Sequence, residues 1–509
     1  MSLNNLTEDK ISLGFKPIPT VIAIVITLLI WFVIPVPDGV KPQAWHLLAL
    51  FVGTIVAIIG KAMPIGAISI IAIALVALTG VTVPELGENG KAIANPSGEA
   101  LKHALSSFSN SLIWLIGIAV IISYGLSKTG LGSRIGYYFI SIFGKKTLGI
   151  GYALAIAEAV LAPITPSNTA RGGGIIHPIM KAISESLGSN GANDESRTKV
   201  GRYLALVNYN TNPITSGMFI TATAPNPLVV KFVAEATGKE IELSWTTWAL
   251  AMFLPGLACL FIMPLVIYKI YPPELKETPN ATEYAKQHLA QLGSMKKGEK
   301  IMLGVFALLL ILWANIPAMI FGDTFKVDAT TTAFIGLSAL LLTGVLTWDD
   351  ALKQKSAWDT IIWFSALIMM ATFLDKLGLI KWFAENIQAG IGHLDVGWVG
   401  ACAILTLIYL YTHYFFASAT AHITAMFAAF YGVGLALGAP PMLYALILAA
   451  AGNIMMGITH YGTGTAPVIF GSGFVTLGEW WKTGFIISVI NCIVWLAVGL
   501  VWWKVLGYY

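Results

Sequence analysis

Charge is what this sequence has least of. Only 11% of its 509 residues are Asp, Glu, Lys or Arg, where a soluble domain carries about 25%. That scarcity argues against a string of soluble domains, and a scattered net charge of +4 leaves no basic stripe for a nucleic acid. Cysteine is nearly absent too. Cys259, Cys402 and Cys492 lie in apolar runs without metal-ligand spacing, so they read as small core residues rather than disulfides or ligands. No G-x-S-x-G or H-E-x-x-H frame occurs, which weakens the case for an intramembrane hydrolase built on Ser167 or Ser418. The N-terminus has no short apolar region followed by a small-residue cleavage site, so the first apolar run, about 19–36, reads as a retained helix.

Apolar residues, by contrast, make up 56% of the chain, and the mean hydropathy is +0.76. Apolar runs of roughly 18–20 residues recur, long enough to cross about 30 Å of hydrocarbon as helices. The expectation is an all-α polytopic membrane protein. Spans are expected near 20–36, 45–60, 64–82, 107–127, 245–270, 301–319, 330–347, 358–375 and 483–503. Two further helices, from about 203 and about 441, break part-way, giving about 11 transmembrane helices in all. Polar loops separate them, such as 83–105 with Glu85, Glu88, Lys91, Glu99 and Lys102. Fifty glycines and 23 prolines are tolerable because neighbouring membrane helices satisfy the backbone groups they free.

The segment 147–184 does not fit a plain span. Pro163, Pro166 and the cluster Ser167-Asn168-Thr169 interrupt it, and a helix cannot pass two prolines and a capping cluster without kinking or stopping. A re-entrant helical hairpin with its tip at 164–170 is the economical reading. A second broken segment, 397–436, has its tip at Ser418-Ala419-Thr420-Ala421-His422. The breaks also pair: Thr221-Ala-Thr-Ala-Pro225 matches Thr463-Gly-Thr-Ala-Pro467, Ser111-Leu-Ile-Trp114 matches Thr360-Ile-Ile-Trp363, Lys128-Thr-Gly-Leu131 matches Lys376-Leu-Gly-Leu379, and Leu243-Ser-Trp245 parallels Leu477-Gly-Glu-Trp480. With the match of the two tips, Ser167–Arg171 and Ser418–His422, these make five in one order, an internal repeat. With the N-terminus cytoplasmic and the C-terminus external, 20 basic residues fall inside and 9 outside, and the two hairpin bases lie on opposite sides. The repeats are therefore read as inverted in topology.

Paired broken segments in two halves point to a transporter binding site. Helices restarting after each tip present unpaired N–H groups and a positive dipole end to an anion. Ser167, Asn168, Thr169, Ser418 and Thr420 add hydroxyl and amide groups suited to carboxylate oxygens; the plainer alternative is that they only cap helices. Arg171 closes the first knot and His422 the second. Arginine at membrane depth is costly unless paired or hydrated, so the choice is between charge compensation for a ligand and a structural pair with Glu158 or a carbonyl. His422 is either a second compensating charge or a hydrogen-bonded core histidine. His177, His413 and His460 are read as structural.

These residues resemble the divalent anion/sodium symporter family. The likeness is nearest to its bacterial citrate- or tartrate-succinate antiporter branch and the plastid oxoglutarate/malate translocators. It rests on Ile34-Pro-Val-Pro-Asp-Gly39, Ala162-Pro-Ile-Thr-Pro-Ser-Asn-Thr-Ala-Arg171 and Tyr414-Phe-Phe-Ala-Ser-Ala-Thr-Ala421. The resemblance implies that Thr223, Ala224 and Pro225, with Thr465, Ala466 and Pro467, complete a dicarboxylate site. It also implies a homodimer and an elevator mechanism, with 147–270 and 397–509 as the moving halves and 1–146 and 271–396 as scaffold. Sodium-coupled members read Ser-Asn-Thr at the second tip, where this chain has Ala419, and Thr two residues beyond each tip, where it has Arg171 and His422. A fixed guanidinium supplies positive charge without the ion, which favours sodium-independent exchange of C4–C6 di- or tricarboxylates across an inner or plasma membrane. Sodium- or proton-coupled symport is the alternative, and a channel is a further one. No cofactor or metal is expected. The sequence leaves open which acid is preferred.

Overall fold

A computed structural model describes residues 14–83, 96–382, 386, 397–416 and 418–509. Glu85, Glu88, Lys91 and Ala417, named above, lie outside the described residues. Among the described residues the chain is helical, with no strand and a single isolated bridge, Lys146 to Glu277. Eight of the described helices are long and apolar enough to cross a membrane, Trp245–Ile270 and Leu477–Val505 being the longest. Shorter apolar helices occupy Pro17–Val33, Ile65–Thr79, Ala329–Leu342 and Pro441–Gly457.

The chain divides into two compact units. The first, Met1–Ser107 with Ile362–Leu379, contains the helices Pro17–Leu28, Pro42–Ile59, Ile65–Thr79 and Pro96–Leu105. Prolines at the first turn start three of these helices, since their missing N–H is unpaired there anyway. Gly80 at φ +67° ends the third in the left-handed region that favours glycine.

The second unit, Phe108–Ile361 with Ile380–Tyr509, carries both broken segments. At its centre is Gly201–Met218, whose composition is polar (Asn208, Asn210, Thr211, Asn212, Thr215, Ser216) yet whose residues are buried almost throughout. A helix enclosed on every side must pair its polar groups with protein. It packs against Thr147–Leu161, Trp245–Ile270 and Pro441–Ile454. The polar base before it is pinned to the last helix, where Arg197 and Arg202 donate to Glu479 at 2.6 and 3.0 Å.

Several helices were not anticipated from the sequence, among them Pro96–Leu105 inside the expected polar loop 83–105 and the two that follow. Leu131–Phe143 carries Arg134, whose guanidinium folds onto Glu299 at 2.5 Å, so the charge does not interrupt the helix. Pro279–Leu292 runs through the lysine-rich stretch 269–300 and packs on it, with His288 stacked on Tyr137 at 4.8 Å. Asp350, on the short helix Trp348–Lys353, accepts from Lys128 and from the backbone and hydroxyl of Thr347. These bonds push its carboxyl down to about 2, from 3.8. A depressed carboxyl stabilises the fold above its unfolded value, and that contribution is lost as pH falls from about 4 towards 2. Asp350→Asn should therefore flatten the thermal midpoint of the purified protein across that window; an unchanged slope would show that the Lys128–Asp350 link contributes nothing.

Candidate binding site at the two tips

Each tip is built by the same local rules. The first arm, Thr147–Leu161, tightens into a 3-10 turn, Ala162–Ile164, and stops at Thr165-Pro166. The Ser167 hydroxyl then accepts from the N–H of Ala170 at 3.1 Å and caps the restart. The restart opens as a π-helical stretch, Thr169–Ile176, through Gly172-Gly-Gly174 and continues as His177–Ser186. In the second half Trp398–Tyr411 tightens into Thr412–Phe415, and Ser418 accepts from the N–H of Ala421 at 3.3 Å to cap Ala419–Ala436. The broken helices match as well. Gly201–Met218 passes through Ile220–Ala222 before Asn226–Ala236, and Pro441–Ile454 passes through Met455–Gly457 before Thr465–Phe470. Capping and binding are thus not rival roles for the serines. Each uses its oxygen to accept and keeps its O–H to donate.

The tips and breaks enclose a cavity of about 210 Å³. Nine expected residues line it: Ser167, Asn168, Thr169, Thr223, Ala224, Pro225, Ser418, Ala419 and Thr420. Thr465, Ala466 and Pro467 do not. The second break contributes Thr463 and Gly464 instead, because Gly464 approaches the first tip so closely that a Cβ there would stand 2.4 Å from the Thr169 hydroxyl. Thr465 is buried behind this wall and donates to Asn212 at 3.3 Å. Pro166 and Met456 complete the tip and break surfaces, and Val120, Ser356 and Thr360 close the cavity from regular helices that carry no break. The lining has hydroxyls, an amide and two helix starts but no carboxylate, which suits an anion. A larger crevice of about 1140 Å³ is walled by aliphatic and aromatic side chains; the one hydroxyl there, Tyr152, is committed to the Phe261 carbonyl. It offers an anion nothing.

Neither basic residue lines the cavity. Arg171 lies directly behind its wall and is fully buried. It donates to the carbonyls of Thr165 (2.7 Å) and Ala222 (2.8 Å), to the hydroxyls of Thr215 (3.3 Å) and Ser216 (2.9 Å), and at 3.4 Å to Glu158. Thr165 and Ala222 immediately precede the wall residues Pro166 and Thr223, so the guanidinium ties the first tip to the first break. Arg171 is a bonded cation inside the wall, paired with Glu158 and with two carbonyls. His422 is buried with its Nδ1 3.1 Å from Nδ1 of His413, stacked on Phe416 and edge-on to Tyr409. His413, read as structural, is thus the immediate partner of His422. His460 accepts from Trp481 at 3.1 Å, and His177 is buried.

A family model described as the sodium:sulfate symporter transmembrane region matches residues 16–509. The chain is 49% identical over 492 residues to a Bacillus subtilis (strain 168) protein described as the putative malate transporter YflS, covering 97% of each. It is 44% identical over 489 residues to the chloroplastic dicarboxylate transporter 1 of Spinacia oleracea, covering 96% of this chain and 81% of that one. Among solved structures it is similar to the Alcanivorax borkumensis YdaH transporter (TM-score 0.58, 12% identity, 91% of this chain and 99% of that chain). Neisseria gonorrhoeae MtrF is comparably similar (TM-score 0.56, 13% identity, 88% and 97%). At such identities these two support the fold alone.

Proposed function

The chain belongs to the sodium:sulfate symporter family, and we propose that it carries small dicarboxylate anions across a membrane by sodium-independent exchange. The observation that carries this reading is the small polar cavity bounded by both tips, where Ser167 and Ser418 each keep a hydroxyl proton to donate and two helices begin. Relatives described as malate and dicarboxylate transporters support the choice of anion. Succinate, malate, fumarate, 2-oxoglutarate and citrate form the panel of candidate substrates. Arg171 supports the exchange part. Its guanidinium holds two backbone carbonyls, the ligand type a bound metal cation uses, so the wall carries a positive group that cannot dissociate. On this reading the first tip needs no sodium ion to organise its carbonyls.

The same reading makes 147–270 and 397–509 the moving halves of an elevator and 1–146 and 271–396 its scaffold. The working form is a homodimer in a cytoplasmic or inner membrane, N-terminus inside. The family description favours one rival, sodium-coupled symport. Proteoliposomes separate them. Labelled dicarboxylate should enter only vesicles preloaded with dicarboxylate, at a rate unchanged when sodium is replaced by potassium. Sodium-driven uptake into empty vesicles would overturn exchange, and no uptake of any C4–C6 acid would overturn the carboxylate reading.

A further inference from the structure

The two halves of the site are not built side by side; each holds the other. The first tip meets the second break: Thr169 lies against Gly464, and Gly172 is held so tightly that a Cβ would stand 2.7 Å from the Asn212 amide nitrogen and 3.1 Å from the Thr465 methyl. The second tip's helix, Ala419–Ala436, packs on Asn226–Ala236 after the first break, with Phe427 stacked on Phe232. A buried asparagine sits at the first of these crossings, and another joins the second broken helix to the first break. Asn212 donates to Glu158 (2.6 Å) on the first arm and to the Asn168 carbonyl (3.0 Å) at the first tip, and it accepts from Thr465 (3.3 Å) in the second break. In the other half Asn453 donates to Asn226 (2.9 Å), whose own amide holds the carbonyls of Ser216 and Phe219 at the first break. Both asparagines are buried, so water does not replace a lost partner.

We propose that Asn212 is a positioning residue that sets the cavity by locking the first tip to the second break through Thr465. Thr465 acts on substrate only through it. The effect on affinity rests on the dicarboxylate reading; the mechanical coupling does not. A binding cavity assembled from two halves of a chain needs their spacing fixed before the ligand arrives, or ordering the halves subtracts from affinity. Asn212 fixes the first tip against the second break without entering the cavity.

Thr465→Val is the test, because it keeps the shape and removes one donor. In proteoliposomes its KM for dicarboxylate exchange should rise by roughly five- to tenfold, the worth of about one hydrogen bond, with maximal turnover falling less. Thr465→Ser should restore it. Adding Asn212→Ala to Thr465→Val should raise KM no further than Asn212→Ala alone. Without substrate, hydrogen exchange at 168–172 in the first half should quicken in Thr465→Val although the change lies in the second. A KM within twofold of wild type together with unchanged exchange at 168–172 would overturn the coupling, and so would additive effects in the double variant. If Asn212→Ala does not fold, the Val and Ser pair decides alone. Should the wild type exchange no dicarboxylate, the functional reading falls, and hydrogen exchange still judges the lock.

Discussion

Arg171→Ala should abolish transport and sharply reduce the folded yield. The change strands Glu158 as a buried carboxylate without its cation, a loss of about 3–5 kcal/mol. It also frees the carbonyls of Thr165 and Ala222, each costing about 1–3 kcal/mol when left buried and unpaired. Arg171→Lys keeps the charge but cannot reach five acceptors with one ammonium, so a partial loss of transport is expected. Removing both charges as Arg171→Ala with Glu158→Ala should recover folded protein in detergent without recovering exchange. Recovery of exchange in that double variant would show that the pair serves the fold alone. Glu158→Gln supplies the sign. It leaves the guanidinium less compensated behind the wall, so the KM for a dianion should fall; a KM that rises would mean the cavity does not sense the Arg171 charge.

Both tips and both breaks were legible because their causes are local. Pro163 and Pro166 fall beside a capping serine, and together they end one helix and start the next; a serine three residues before a free N–H caps one. Trp245–Ile270 was legible end to end, since a capping serine and an uninterrupted apolar run coincide. The partner of Arg171 was half-legible: Glu158 is the sole acidic residue between 147 and 184, but only the antiparallel return of the arm brings it within 3.4 Å. Thr463 replaced Thr465 in the wall for a tertiary reason, the approach of Gly464 to Thr169. Val120 and Ser356 sit on regular helices with no local mark of function, and Thr360 was marked only as part of the repeat, so packing alone places all three in the wall. The helix Gly201–Met218 was legible as a broken span from about 203, but its asparagines and threonines gave no sign of being the polar core that ties the breaks together, which only packing reveals.

Gly484→Ala should unseat the second break from outside the site. Gly484 lies in the last helix, and a Cβ there would stand 2.6 Å from the Gly457 carbonyl oxygen and 2.9 Å from both Cα and O of Ile458. All three are backbone atoms, so no side chain can swing away. Nor is the segment free to retreat, because Tyr209 holds it by donating to the carbonyls of Met456 (2.5 Å) and Thr459 (2.9 Å). The methyl must displace the 3-10 turn Met455–Gly457, which carries the wall residue Met456 and leads into Thr463 and Gly464. Overpacking of this kind costs about 1–3 kcal/mol, and here the strain falls on the cavity, so the thermal midpoint should drop and the exchange KM should rise together. Gly304→Ala is the matched control. It also sits inside a helix, Lys297–Trp313, but a Cβ there meets nothing within 4 Å, so it should gain about 1 kcal/mol of helix propensity and leave exchange alone. A midpoint and KM for Gly484→Ala indistinguishable from those of Gly304→Ala would show that the last helix yields to the added carbon, and that the second break is not braced from behind.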